Sequence, residues 1–65
     1  KKTVVDINQA TVDELTKLQG VGEGLAKRIV SDRQKNGPFK TTEDLMRVSG
    51  IGKKKFEQFK DAIRV

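Results

Sequence analysis

The chain has 65 residues, 34% hydrophobic and 35% charged, with 14 Lys and Arg against 9 Asp and Glu for a net charge of +5. With no Cys it has neither disulfides nor a zinc–thiolate site; with no His it lacks the usual general base near neutral pH and the usual nitrogen ligand for a metal. No run of about 18 apolar residues is present to cross a membrane and no signal-peptide core is visible, which leaves one small domain with a thin core and a charge suited to a polyanionic partner.

The start at Lys1, without Met, predicts a processed form or an excised domain. Residues 1–10 read as a lead-in: Val5 and Ile7 alternate briefly, but Asp6-Ile7-Asn8 points into a helix rather than along a strand. Thr11 and Glu14 have capping-box spacing, and Val12, Leu15 and Leu18 then recur at helical intervals. Gly20 stops this helix as a left-handed cap. A second helix begins near Gly22 or Glu23 with an apolar stripe of Leu25, Ala26, Ile29 and Val30, and Asn36-Gly37-Pro38 ends it. Thr41, with Asp44 in the box position, opens a third helix whose stripe is Leu45 and Val48. Gly50 closes it, and a fourth helix carries Phe56, Phe59 and Ile63 inward. The fold class predicted is all-α.

A shift of 30 residues superposes the two halves. Thr11 falls on Thr41, Leu15 on Leu45, Leu18 on Val48, Gly20 on Gly50, Val21 on Ile51, Gly22 on Gly52 and Ile29 on Phe59. Gly, apolar and capping positions match together, so the chain is two copies of a helix–turn–helix unit, residues 11–37 and 38–65.

Candidate chemistry sits in Gly20-Val21-Gly22 and Gly50-Ile51-Gly52. The first Gly adopts positive φ at little cost, the branched residue pins the turn to the core, and the second Gly leaves the backbone bare where a helix begins. Free N–H groups there, at the positive end of the helix dipole, attract an anion, and successive turn N–H groups form a nest for a phosphate oxygen. Such a site reads no base and binds nucleic-acid backbone without sequence preference. The alternative reading of the same residues is a plain αα-hairpin cap.

Leu18-Gln19-Gly20-Val21-Gly22 followed by Ala26 and Ile29 resembles the helix-hairpin-helix DNA-binding motif, and Val48-Ser49-Gly50-Ile51-Gly52 followed by Phe56 and Phe59 resembles a second copy. The segments Val5-Asp6-Ile7-Asn8-Gln9-Ala10-Thr11, Asn36-Gly37-Pro38-Phe39 and Thr42-Glu43-Asp44-Leu45 resemble more specifically the ComEA competence family. That resemblance covers nearly the whole chain. It implies a tandem helix-hairpin-helix domain with an approximate two-fold, each hairpin gripping one strand's backbone across the minor groove of double-stranded DNA. It further implies a role in natural transformation, holding incoming DNA at the outer face of the bacterial membrane or in the periplasm. Many members carry an N-terminal membrane anchor and a linker ahead of this domain. The expected partner is duplex DNA, with no small-molecule substrate, cofactor, metal or catalytic residue assigned.

The charges distinguish the two copies. Lys53-Lys54-Lys55 fills the first turn after Gly52, where cations oppose the helix dipole by roughly 0.3–1 kcal/mol each. Phosphate binding offsets that cost; a solvated lysine cluster is the bland reading. Lys54 matches a position often basic in the resembled motif. The first copy has Glu23 and Gly24 instead. Glu23 suits a helix start but repels a phosphate, so this hairpin is expected to contact DNA through its backbone at Gly20, Val21, Gly22 and Gly24, with Lys27 and Arg28 supplying charge a turn later. Arg28 reads equally as a surface residue, Arg33 and Lys35 are less suited to contact, and Gln19 and Ser49 occupy matching positions that suit hydrogen bonds to phosphate. The expected interface is therefore Gly20, Val21, Gly22, Gly24, Lys27, Gly50, Ile51, Gly52, Lys53, Lys54 and Lys55.

Phe56, Phe59 and Ile63 share a helical face and read as core, with Phe39 plugging the gap between units; buried aromatics favour duplex over single strands. Asp6, Asp13, Asp32 and Asp61 lack the spacing of a catalytic metal site. Two other functions stay open at this point: a DNA-gripping accessory domain of a repair or processing enzyme, and a protein-interaction module.

Overall fold

Thr11 caps the first helix as its spacing predicts: its hydroxyl accepts from the Glu14 N–H at 3.2 Å, and the Glu14 carboxylate accepts from the Thr11 N–H at 2.9 Å. In the computed structural model, which describes residues 4–65, this helix (α1, Val12–Leu15) is only four residues long, shorter than the stretch to Gly20 that the periodicity predicts. The reason is local. The Thr16 hydroxyl donates to the Asp13 carbonyl at 2.6 Å, and Lys17 and Leu18 bond three residues back, to Glu14 and Leu15, so the ladder tightens and runs out in turns.

The second helix (α2, Glu23–Asn36) keeps its expected limits, ended by Gly37 at φ +89°. The third predicted helix is a 3-10 helix, Thr42–Arg47. Here Asp44 stands where the first unit has Glu14. Its shorter carboxylate accepts from the N–H groups of both Lys40, at 2.9 Å, and Thr41, at 3.2 Å, drawing the turn tighter than Glu does. The last helix (α3, Lys53–Phe59) is half the length of α2 and passes into a 3-10 turn, Lys60–Ala62. Ile63 is buried as expected, but from a strand rather than from a helix.

Among the described residues, that strand and its partner are the one addition to the all-α reading. Val5–Asp6 (β1) pairs in parallel with Ile63–Arg64 (β2), in the register Val5 with Ile63 and Asp6 with Arg64, and the Ile7 N–H continues the ladder to the Arg64 carbonyl at 2.9 Å. The lead-in is thus a clasp rather than an approach to α1; its residues 1–3 lie outside the described residues. It is tied at two further points. Arg33 Nη1 donates to the Ile7 carbonyl at 2.8 Å, and the Asn8 amide both accepts from the Phe39 N–H at 2.7 Å and donates to the Phe39 carbonyl at 3.0 Å.

The repeat is carried into the core. Leu15 and Leu45, Leu18 and Val48, Val21 and Ile51, Ala26 and Phe56, and Ile29 and Phe59 are buried pairwise in one cluster. The shorter α3 carries the bulkier partner in the last two pairs, so fewer turns fill a comparable volume, and Phe56 and Phe59 meet edge to face at 6.3 Å. Phe39 is 2% exposed and sits between the units, its outer face covered by the Arg47 guanidinium 4.5 Å from the ring centre. Arg47 also bonds Asp32 of α2 at 2.6 Å and the Gly37 carbonyl at 2.9 Å, so a single side chain braces helix, linker and 3-10 turn.

Candidate nucleic-acid interface

Each unit presents the same turn. Gly20 and Gly50 take φ of +83° and +98°, a region L side chains rarely adopt. Val21 and Ile51 then bury their side chains, and their N–H groups bond back to the carbonyls of Leu18 and Val48 at 3.1 and 3.0 Å. Gly22 and Gly52 are the N-caps of α2 and α3, with φ of −93° and −94°. The first intrahelical bonds, Ala26 N–H to Gly22 and Phe56 N–H to Gly52, are both 2.9 Å. Residues 21–29 and 51–59 even share one sequence of buried, half-buried and exposed positions.

The two kinds of glycine are required for different reasons. Gly20 and Gly50 are needed by the backbone, and added side-chain carbons there would strike Gln58 and Lys55 in one case and Arg28 and Leu25 in the other. Gly22 and Gly52 are needed by neither backbone nor packing: their φ is open to any residue, and a Cβ on either meets nothing within 4 Å. Helix N-caps ordinarily favour Ser, Thr, Asp or Asn, whose side chains bond the first free N–H groups. Here no side chain caps either helix. The N–H groups of the first turns, Glu23 to Leu25 and Lys53 to Lys55, therefore have no side-chain acceptor among the described residues and lie beside exposed glycines with open space at their Cα atoms.

The expected interface residues divide by position. Gly20, Gly22, Gly24, Gly50 and Gly52 are exposed and offer bare backbone. Val21 and Ile51, 5% and 3% exposed, have only their backbone to offer. Lys53 and Lys54 are exposed on the first turn of α3, which carries no acidic residue. Lys27 is exposed but pairs with Glu23 at 3.6 Å, so the cation expected to serve the first hairpin is shared with that hairpin's own carboxylate. Lys55 is half-buried and turned away from its two neighbours: its ammonium donates to the Gly20 carbonyl of the other unit at 3.1 Å. Arg28 does the converse, donating from α2 to the Ser49 carbonyl at 3.3 Å. The two turns are therefore neighbours on one molecular surface. Arg33 and Arg47 spend their guanidinium groups on internal carbonyls and Asp32.

Sequence reasoning missed Gln58 and the inward turn of Lys55. The 30-residue offset holds the signal for both, since Gln58 falls on Arg28 and Lys55 on Leu25.

The model of the helix-hairpin-helix motif family matches residues 1–64. ComE operon protein 1 of Bacillus subtilis is 48% identical over 65 residues, all of this chain and 32% of that protein. Endonuclease/exonuclease/phosphatase family domain-containing protein 1 of Mus musculus is 48% identical over 61 residues, 94% of this chain and 11% of that protein. Protein YhgF of Escherichia coli is 39% identical over 61 residues, 94% of this chain and 8% of that protein. The chain thus spans a third or less of the length of these relatives.

Proposed function

The chain belongs to the helix-hairpin-helix family, and from that premise we propose that it is a non-catalytic module that binds double-stranded DNA through the phosphate backbone, without reading sequence. The observation that carries this reading is the pair Gly22 and Gly52, glycines that the fold itself does not require, each leaving a bare helix start open to solvent. Backbone N–H groups fit phosphate oxygens and distinguish no base. Two such turns side by side suit two strands of one duplex.

The second hairpin grips harder. Lys53 and Lys54 add charge beside Gly52, whereas the first hairpin has Gly22, Gly24 and a Lys27 shared with Glu23. Residues 38–65 hold seven cations against four anions, and residues 11–37 five against four. The biological role we propose is that of the ComEA type, a DNA receptor in bacterial natural transformation working outside the cytoplasm; similarity to ComE operon protein 1 over all 65 residues supports it. The second reading, an accessory domain that grips DNA for a processing enzyme, is favoured by the similarity to endonuclease/exonuclease/phosphatase family domain-containing protein 1. A membrane anchor and linker on the parent chain decide for the first, a nuclease or ligase domain for the second.

Fluorescence anisotropy with unrelated duplexes of equal length tests the binding mode. The expected result is equal affinity for all of them, falling with salt at a slope of about −0.9 per neutralised phosphate. Salt-independent binding, or preference for one sequence, overturns the reading. An NMR titration with the same duplexes is expected to move the amides of Gly20, Gly22, Gly50 and Gly52 together.

A further inference from the structure

Two of the cations that cross between units, Lys55 and Arg28, do so at the turns, where they bond carbonyls rather than the N–H groups proposed to seat phosphate. Lys55 Nζ donates to the Gly20 carbonyl at 3.1 Å, and its stem lies against Gly20, where an added Cβ would meet Lys55 Cδ at 3.4 Å and also Gln58 Oε1. Arg28 Nη1 donates to the Ser49 carbonyl at 3.3 Å, and an added Cβ on Gly50 would meet Arg28 Nη1 and Leu25 Cδ1, each at 3.2 Å. These are the same two places in the repeat: position 25 matches 55 and position 28 matches 58. At each turn one of them supplies apolar stem and the other a polar head, but the cation has changed place, from the second position in the first unit to the first in the second. The left-handed glycine of each Gly-apolar-Gly turn is thus held by the second helix of the opposite unit.

We infer that Lys55 and Arg28 are positioning residues that couple the two hairpins, Lys55 fixing the first turn and Arg28 the second, so that both seats are set in one geometry before DNA arrives. The inference rests on the DNA-binding reading above and deepens it. It takes Lys55 out of the phosphate-contacting lysine run and assigns it to the other hairpin. The physical ground is that a turn with two glycines has few side chains of its own to hold it, and a cation from the opposite unit bonds a carbonyl of each, Gly20 in one and Ser49 in the other. Preorganised seats bind more tightly because less ordering is left for the encounter.

The test compares Lys55→Met, Arg28→Met and, as a phosphate-contact reference, Lys54→Met in the full chain. Without DNA, Lys55→Met is expected to move the Gly20 carbonyl and the Val21 and Gly22 amides, in the other unit of the chain, while Arg28→Met moves the Ser49 carbonyl and the Gly50 amide. Lys54→Met is expected to move its own neighbours alone. With duplex DNA, Lys55→Met and Arg28→Met are expected to weaken binding about threefold to tenfold with the salt slope retained, whereas Lys54→Met flattens the slope by about 0.9. Lys55→Arg, which keeps the donor, is expected to restore affinity. Shifts confined to the mutated unit overturn the coupling. So does a slope reduced by about 0.9 in Lys55→Met, which makes Lys55 a phosphate ligand. Crossed shifts with unchanged affinity overturn its part in binding, and a wild-type chain that binds no duplex overturns the DNA reading along with it.

Discussion

At Gly52 the needs of the fold and those of the proposed phosphate seat part company. This glycine sits at an N-cap, where Gly is accepted but offers no side chain to bond the free N–H groups, and Asp ranks a little above it. Its φ of −94° and the open space around its Cα accept a side chain without strain. Asp there would bond the free N–H groups of α3, complement the dipole, and lie beside Lys53 and Lys54. Gly52→Asp is therefore expected to stabilise the free domain by about 0.5 kcal/mol, a rise of about 2–4 °C in thermal midpoint for a chain this size. The same carboxylate occupies the proposed phosphate seat, so duplex affinity is expected to fall more than tenfold. Calorimetry and anisotropy on one preparation check both halves. A variant that loses stability and binding together would mean that Gly52 is a structural glycine. Gly50→Ala, by contrast, is expected to cost stability first, because φ of +98° is unfavourable to Ala and the added carbon meets Arg28 and Leu25 at 3.2 Å.

At the scale of elements, the Thr42–Arg47 turn depends on one carboxylate. The backbone N–H of Lys40, then that of Thr41, hold the Asp44 carboxyl below its ordinary value of 3.8. A depressed carboxylate contributes stability at neutral pH that is lost as pH falls through its folded-state value. Asp44→Ala is expected to be less stable than the wild type at pH 7, by a margin that holds down to about pH 4 and closes on further acidification. Thermal unfolding of the two proteins across that range measures it; a margin independent of pH means that the side chain acts by packing. Caps and turns of this kind were legible in the sequence because their signals are local: Thr11 with Glu14, Gly37 with Pro38, the two Gly-apolar-Gly turns. The β1–β2 clasp was not, since a two-residue strand has no period and Val5 meets Ile63 only through the folded whole. Nor was the crossing of Lys55 to Gly20. In the sequence it is the third of three lysines on a helix start, and only the packing of α3 against the other unit tells it from Lys54.

For the whole molecule, two units share one core, and this fixes what can be divided. Phe39 lies between them, buried to 2%, with Asn8 bonded to its backbone and Arg47 across its ring. Phe39→Ala is expected to cost about 3–5 kcal/mol, a large share of the roughly 5–15 kcal/mol that holds a small domain folded. The same reasoning applies more severely to a cut. A peptide of residues 11–37 carries a complete hairpin, but the buried face of that hairpin, Leu15, Val21, Ala26 and Ile29, packs into a cluster completed by Phe39, Phe56 and Phe59. One repeat cannot bury its apolar face alone, and isolated helices as short as α2 are marginal in water. The peptide also lacks Lys55, which holds its Gly20 carbonyl. Circular dichroism of the 11–37 peptide is expected to show little helix, and anisotropy to show duplex binding lost rather than halved. A peptide that folded and bound with a substantial part of the domain's affinity would mean that each hairpin is a site in its own right. Loss of both means that the smallest DNA-binding unit is the pair, because neither repeat folds without the core that the other completes.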